Sequence, residues 1–164
     1  MRRRFSARVL LFDPLDRLLL LKSSDALPEE LEQRPRRVFW YTLGGELEAG
    51  ESVHEAARRE LQEEAGIVHV ELGPTVWRGE RPLRFSGETV LSCETYVVAR
   101  TEQTQVTSAG WTELERTTHL ELRWWTLDEL EQTDATIFPR VLSQLIRQAA
   151  AVREPCEPQT IQLG

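Results

Sequence analysis

The chain has 164 residues, a net charge of −7 and 40% hydrophobic residues. This length suits one domain with a core large enough to fold without disulfides, and the composition excludes a collagen-like chain, a disulfide scaffold and a wholly disordered tail. The acidic balance argues against a protein that coats nucleic acid, because such binding neutralises phosphates with basic side chains. It leaves open a small phosphate-bearing ligand, for which a bound metal ion would supply the positive charge.

The N-terminal part of the chain predicts three strands. Short apolar runs over 9–12 and 18–21 flank the turn residues of 13–16, and runs of this kind are typical of strands buried on both faces. Residues 23–37 are polar and predict a loop, with one short helical turn over 29–33. The β-branched and aromatic stretch 38–42 predicts the third strand, which Gly44 and Gly45 should end.

The clearest helix of the sequence should follow Ser52. Ser52 and Glu55 match the S-x-x-E capping box, and Gly66 stands where a C-terminal cap belongs. We therefore predict a helix between these two caps.

The C-terminal half alternates strands with helices. Strands are predicted over 68–76, 88–99 and 120–125, with a loop over 101–110. A short helix should start at Thr126, and a longer one over 138–152 should carry Pro139 in its first turn. We expect one α/β domain over 1–152 and a loose tail over 153–164.

The predicted helix after Ser52 places acidic residues where apolar ones belong. At about 100° per residue, Glu60 and Glu64 fall in line with Val53 on the buried stripe, and Glu63 falls at the edge of that stripe. They also lie in the last turns, where the helix dipole disfavours negative charge. Arg59 can pair with Glu63 at i,i+4, but the other two carboxylates call for another cation. Mg²⁺ prefers such oxygen ligands and bridges to substrate phosphates.

The segment 45–67 resembles the Nudix box, G-x5-E-x7-R-E-U-x-E-E-x-G-U, in which U is an aliphatic residue. Every defined position of the pattern matches, from Gly45 and Glu51 to the run that starts at Arg59 and ends at Ile67. The resemblance implies a single-domain α/β fold, the Nudix α/β/α sandwich with a mixed sheet.

The resemblance also implies roles for the residues of the box. Mg²⁺, or alternatively Mn²⁺, would be held by Glu60, Glu63, Glu64 and the backbone carbonyl of Gly44. Catalysis would involve Glu63 and Glu64, with Arg59 orienting the carboxylates, while Gly45, Glu51 and Gly66 would be structural. The implied reaction is hydrolysis of the diphosphate linkage of a nucleoside diphosphate joined to another moiety, with a metal-activated water as the attacking group.

Positions outside the box carry weaker expectations. Leu43 stands where many family members have Pro, which should alter loop stiffness more than chemistry. Glu94 and Glu115 are candidates for a remote general base or an extra metal ligand, although each also fits a solvated acid. Substrate contacts are expected from Trp40, Tyr41 and Arg84, whose rings and guanidinium suit a base and a phosphate.

Two alternatives to hydrolysis stay open at this point. One is a non-catalytic nucleotide-binding regulator on the same fold. The other is an isomerase of an isoprenoid diphosphate, for which Cys93 is the candidate reactive thiol. Cys93 and Cys156 lack metal-ligand or framework spacing and predict reduced thiols in a cytoplasmic protein. No membrane span is expected, the expected partner is a small nucleotide-diphosphate molecule, and a homodimer is left open.

Overall fold

The computed structural model describes residues 1–25, 37–85 and 87–164. The helical turn predicted over 29–33 lies outside the described residues. Within them, the strands are β1 (Arg3–Phe12), β2 (Leu18–Ser24), β3 (Val38–Glu46), β4 (Glu71–Phe85), β5 (Glu88–Arg100), β6 (His119–Trp125), β7 (Ile137–Phe138) and β8 (Gln159–Thr160). The helices are α1 (Val53–Ala65), α2 (Glu113–Thr118), α3 (Leu127–Gln132) and α4 (Leu142–Ala150).

The strands form one mixed sheet in the order β6-β2-β3-β1-β5-β4-β8, and β7 pairs with β3 outside this path. β1 is central, since it pairs in parallel with β5 on one side and antiparallel with β3 on the other. The expected mixed sheet of an α/β fold is therefore confirmed.

Apolar side chains fill both faces of the sheet. Along β1, Leu10 and Phe12 belong to one core, whereas Val9 and Leu11 belong to the core on the opposite face. Because successive side chains of a strand point to opposite faces, the continuous apolar runs fit a sheet covered on both sides. α1 packs into the core with Val9, and α4 packs into the core with Leu10. The predicted α/β/α layering is confirmed.

The second half of the chain differs from the predicted elements in two places. β4 continues to Phe85 instead of ending near 76, because it pairs with β5 along almost its whole length. α2 was not predicted; it begins after Thr112, whose side chain and that of Glu115 form a complete capping box.

Two C-terminal segments also differ from the prediction. The last helix is shorter than predicted, and the tail contains a strand. The last helix starts at Leu142 rather than at residue 138, since Ile137–Phe138 pair with β3 instead. The expected loose tail contains β8, which pairs in parallel with β4, and the side chain of Ile161 beyond it is buried. Among the described residues, none of the helices combines the length and the apolar character that a bilayer crossing requires.

Candidate metal and substrate site

α1 begins and ends as the sequence predicts. The Ser52 side chain accepts a hydrogen bond from the Glu55 N–H at 3.1 Å, and Gly66 ends the helix in the left-handed conformation at φ 67°. The solvated face consists of Glu55, Arg58 and Gln62, all exposed. Glu64 is only 3% exposed and lies among the core residues, so a carboxylate does occupy the apolar stripe.

Gly44, at the end of β3, provides a hydrogen bond to this buried carboxylate. Its N–H donates to Glu64 Oε1 at 2.7 Å. Gly44 has φ +142°, and a Cβ there would lie 2.0 Å from the carbonyl oxygen of Ala7 on β1. Only glycine can therefore bring the backbone this close to β1 while presenting its N–H to α1.

Arg59 connects α1 to the loop that precedes it and contacts several carboxylates of the box. Its guanidinium donates to both carboxylate oxygens of Glu51, at 2.8 and 2.9 Å, and to Glu60 Oε1 at 2.9 Å. It also reaches Glu63 Oε2 at 3.2 Å and the backbone oxygen of Glu46 at 3.0 Å. Arg59 thus holds the loop before α1 against the helix by a planar, two-bond ion pair. The neighbouring guanidinium lowers the pKa of Glu51 to about 2.

Burial has the opposite effect on the pKa of Glu60 and Glu64, the two carboxylates on the inner side of α1. It raises the pKa of Glu64 to about 8, although the Gly44 N–H opposes the shift. It also raises the pKa of Glu60, which Arg59 partly offsets. Both carboxylates are held where ionisation is unfavourable unless a cation lies nearby.

A second group of side chains meets Glu64 from α2 and β6. His119 Nε2 lies 3.4 Å from Glu115 Oε2 and 4.0 Å from Glu64 Oε2. One ligand atom from each of these three residues lies within 4.8 Å of the others. Trp111 holds the group in place, since its indole N–H donates to the backbone oxygen of Glu64 at 2.7 Å and its ring packs edge-on against His119.

A cavity of about 300 Å³ lies close to this group, since two of its lining residues, Arg8 and Tyr41, interact electrostatically with Glu64. The Arg8 guanidinium, on its wall, donates to the carbonyl of Gly44 at 3.3 Å and pairs with Glu94 at 3.4 Å. The Tyr96 hydroxyl donates to the same Glu94 at 2.9 Å. The remaining lining is largely aromatic, and its residues are Phe39, Tyr41, Thr42, Arg81, Phe138, Pro139, Leu163 and Gly164.

The three residues expected to contact substrate lie in three different places in the structure. Tyr41 lines the cavity, and burial beside Glu64 raises its pKa to about 12. Trp40 points into the core, where it is 7% exposed and packs on Trp125. Arg84 is exposed towards the far end of the β4–β5 hairpin, and Arg81 on the same strand lines the cavity. Of the two remote acids, Glu94 lines the cavity and Glu115 lies beside Glu64.

Sequence reasoning missed Arg8 and His119. A signal for Arg8 was present, because this charge lies directly before the apolar run of β1. A signal for His119 was also present, since it follows Glu115 by four residues at the point where a short helix gives way to a strand.

The donors present fit a divalent cation. Carboxylate oxygens of Glu60 and Glu64 lie on the inner side of α1, and Glu115 adds another beside Glu64. Hard divalent ions prefer such oxygen ligands. Among the described residues, His119 Nε2 is buried and makes no well-aligned hydrogen bond, although Glu115 Oε2 lies 3.4 Å away, and a cation would satisfy both atoms.

The comparisons with solved structures agree with this fold. A MutT protein from Bacillus halodurans is 20% identical, with 97% of this chain and 89% of that chain covered at a TM-score of 0.63. The NUDIX domain of Shewanella oneidensis NrtR, solved with ADP-ribose, is 19% identical. The match covers 91% of this chain and 87% of that chain at a TM-score of 0.58. The Escherichia coli dihydroneopterin triphosphate pyrophosphohydrolase is 21% identical. The match covers 90% of this chain and 97% of that chain at a TM-score of 0.57.

Sequence comparison gives the family. A segment of 37 residues is 51% identical to a Bacillus subtilis protein named uncharacterized Nudix hydrolase YvcI, and it covers 23% of the length of each protein. The NUDIX domain model matches residues 2–146, which is most of the chain. The protein therefore belongs to the NUDIX family.

Proposed function

We propose that the protein is a divalent-metal-dependent hydrolase that splits the diphosphate linkage of a nucleoside diphosphate joined to another group. The observation that carries this proposal is the buried carboxylate of Glu64, 3% exposed, beside Glu60, Glu115 and His119. A fold-only role does not account for acidic groups packed together in this way, because their mutual repulsion and desolvation destabilise the protein.

The metal would be held by Glu60, Glu63 and Glu64 of α1, together with the carbonyl of Gly44 and, from α2, Glu115. When bound, Mg²⁺ or Mn²⁺ acidifies a water molecule and neutralises charge on the phosphoryl oxygens. The Gly44 N–H fixes one oxygen of Glu64, which leaves the other turned towards Glu115 and His119. Glu63 or Glu64 is proposed to accept the proton of the attacking water.

Arg59 is proposed as a positioning residue. Its bonds to Glu51, Glu60 and Glu63 set the side-chain directions of Glu60 and Glu63, two of the proposed metal ligands. Preorganised carboxylates need no rearrangement when substrate arrives, which is how such sites lower a reaction barrier.

The cavity beside the carboxylates is proposed to bind the nucleoside. The ring centroid of Phe39 lies 5.6 Å from that of Tyr41 and 5.5 Å from that of Phe138. Together the three rings offer apolar faces to a base. Arg8 and Arg81 add positive charge on the wall, which favours a phosphate. The position of Arg8 between this cavity and Gly44 would place the diphosphate over the metal ligands.

The test is a survey of substrates with products identified by mass spectrometry. The purified protein is incubated with Mg²⁺ or Mn²⁺ and nucleoside triphosphates, nucleotide sugars or dinucleotides in ¹⁸O-labelled water. We expect products of diphosphate cleavage, with ¹⁸O on the phosphorus that water attacks. The absence of turnover by folded protein across the whole panel would contradict the proposal.

Two variants separate catalysis from general helix effects. Glu64→Gln should lower kcat/KM by several orders of magnitude, because it removes a ligand charge at the metal. Glu55→Gln changes the same residue type on the exposed face of the same helix and should leave activity within about twofold, as expected of a surface change. Equal activity of both variants would refute the assignment of Glu64.

The proposal also covers location and assembly. We propose a cytoplasmic protein, which the free thiols of Cys93 and Cys156 support because reduced cysteines are typical of that compartment. A homodimer stays a prediction, which light scattering of the purified protein would test.

A further inference from the structure

His119 presents a buried ring nitrogen, Nε2, that makes no well-aligned hydrogen bond within the part of the chain that the structure describes. The side chain is 9% exposed, and Nε2 is fully enclosed. The nearest acceptors are Glu115 Oε2 at 3.4 Å and Glu64 Oε2 at 4.0 Å, neither of which is aligned as a hydrogen bond. Buried polar atoms nearly always have a partner, and a cation between this nitrogen and the two carboxylates would provide one.

The contact with Ser23 favours the ring tautomer that carries its proton on Nδ1. Its hydroxyl donates to the carbonyl of Thr118 at 3.1 Å and lies 3.4 Å from His119 Nδ1. Since a hydroxyl has one proton, Ser23 Oγ faces Nδ1 with a lone pair and favours a proton there. The neutral ring then has its own lone pair on Nε2, directed at two carboxylates.

Three electron-pair donors, from His119, Glu64 and Glu115, therefore converge within 4.8 Å of one another. Metal bonds of about 2.0–2.2 Å to nitrogen and oxygen place ligand atoms roughly 3.0–4.3 Å apart in tetrahedral or octahedral geometry. The distances from His119 Nε2 to Glu115 and Glu64, 3.4 and 4.0 Å, fall within this range. The edge-on contact of Trp111 keeps the imidazole in this orientation.

We propose that His119 ligates the divalent ion through Nε2, together with Glu64 and Glu115, and that this nitrogen makes the site prefer Mn²⁺, Co²⁺ or Zn²⁺ over Mg²⁺. Imidazole suits Zn²⁺ and the later transition-metal ions best and Mn²⁺ less, whereas Mg²⁺ demands near-ideal octahedral oxygen coordination and keeps several waters. The inference deepens the proposed function, since it concerns the same site, but its test does not require turnover.

Manganese binding gives a direct readout. Metal-free protein is titrated with MnCl₂, free Mn²⁺ is measured by electron paramagnetic resonance, and the bound ion is examined by pulsed measurement of nitrogen couplings. We expect a coupling to one imidazole nitrogen in the wild-type protein, which changes on ¹⁵N-histidine labelling. A wild-type protein without that coupling, or without Mn²⁺ binding, would overturn the inference, and this result depends on no variant.

A variant assigns the coupling to the residue. His119→Gln should abolish the nitrogen coupling and raise the Kd for Mn²⁺ by about tenfold or more, with little change in the Kd for Mg²⁺ measured by competition. His69→Gln, at an exposed histidine, is the matched control and should change neither. Retention of the coupling by folded His119→Gln would refute the assignment. Nitrogen coupling without hydrolysis of any substrate would instead refute the proposed function alone.

Discussion

The N–H of Gly44 and the Oε1 of Glu64 lie 2.7 Å apart, so the end of β3 and the last turn of α1 meet at one buried carboxylate. The hydrogen bond favours the ionised form of Glu64, whereas burial disfavours it more strongly. The balance leaves this residue dependent on a cation for full ionisation.

The first prediction concerns stability of the metal-free protein. The folded-state pKa of Glu64, about 8, lies above the model value of 4.5, so the folded state binds the extra proton. Stability from this group is therefore lost as the pH rises from about 4.5 through about 8. Glu64→Gln should remove this loss and raise the melting temperature at pH 8 in EDTA, while it abolishes activity. Thermal melts at pH 5–9 check this; a wild-type and a Glu64→Gln protein with parallel pH profiles would contradict it.

The second prediction concerns Arg59. Arg59→Lys keeps the charge but cannot reproduce two parallel bonds to Glu51. We expect kcat to fall at least tenfold and the free energy of unfolding to fall by about 1–3 kcal/mol, as for lost hydrogen bonds between charged groups. Urea titration and steady-state kinetics measure the two effects. Arg58→Lys, at an exposed neighbour on the same helix, should leave both near the wild-type values.

The third prediction separates the two remote acids. Glu115 lies beside Glu64 and His119, whereas Glu94 lines the cavity and pairs with Arg8. Glu115→Gln should mainly lower kcat, and Glu94→Gln should mainly raise KM. Steady-state kinetics of both variants decide the matter, because a dominant loss of kcat in Glu94→Gln would make Glu94 the candidate base instead.

The fourth prediction compares adjacent glycines. A Cβ on Gly45 would lie 2.3 Å from Glu60 Oε1, the end of a flexible side chain, whereas a Cβ on Gly44 would meet the backbone of β1. Gly45→Ala should therefore displace Glu60 and weaken metal binding in a folded protein. Gly44→Ala should lower the melting temperature, since the backbone of β1 cannot move aside as a flexible side chain can. Calorimetric metal titration and thermal melts measure these effects, and equal losses of stability in both variants would contradict the assignment.

Local patterns were sufficient for α1 and its carboxylates. Helical periodicity and two caps are short-range features, so the sequence alone predicts that Glu64 lies on the buried stripe. The extension of β4 to Phe85 was not predictable in this way, because the residues after Trp77 lack apolar alternation and are held by pairing with β5.

The missed side chains depend on long-range register. Arg8 on β1 is opposite Gly44 on β3 and Tyr96 on β5, residues distant in the chain. His119 reaches Glu64 because β6 pairs with β2, which is fixed by strand order rather than by local composition. Sequence patterns predicted the acidic half of the site, while the sheet supplied its cationic and imidazole neighbours.

The pairing of β8 with β4 brings Leu163 and Gly164 to the wall of the cavity. Leu163 packs against Gly79, where any side chain would collide with it. This part of the wall is thus built from a short segment that contributes nothing to the Nudix box. On the proposed function, exchanges in this segment would change ligand preference between relatives while the box stays unaltered, and grafting the segment onto another member would be a direct test of selectivity.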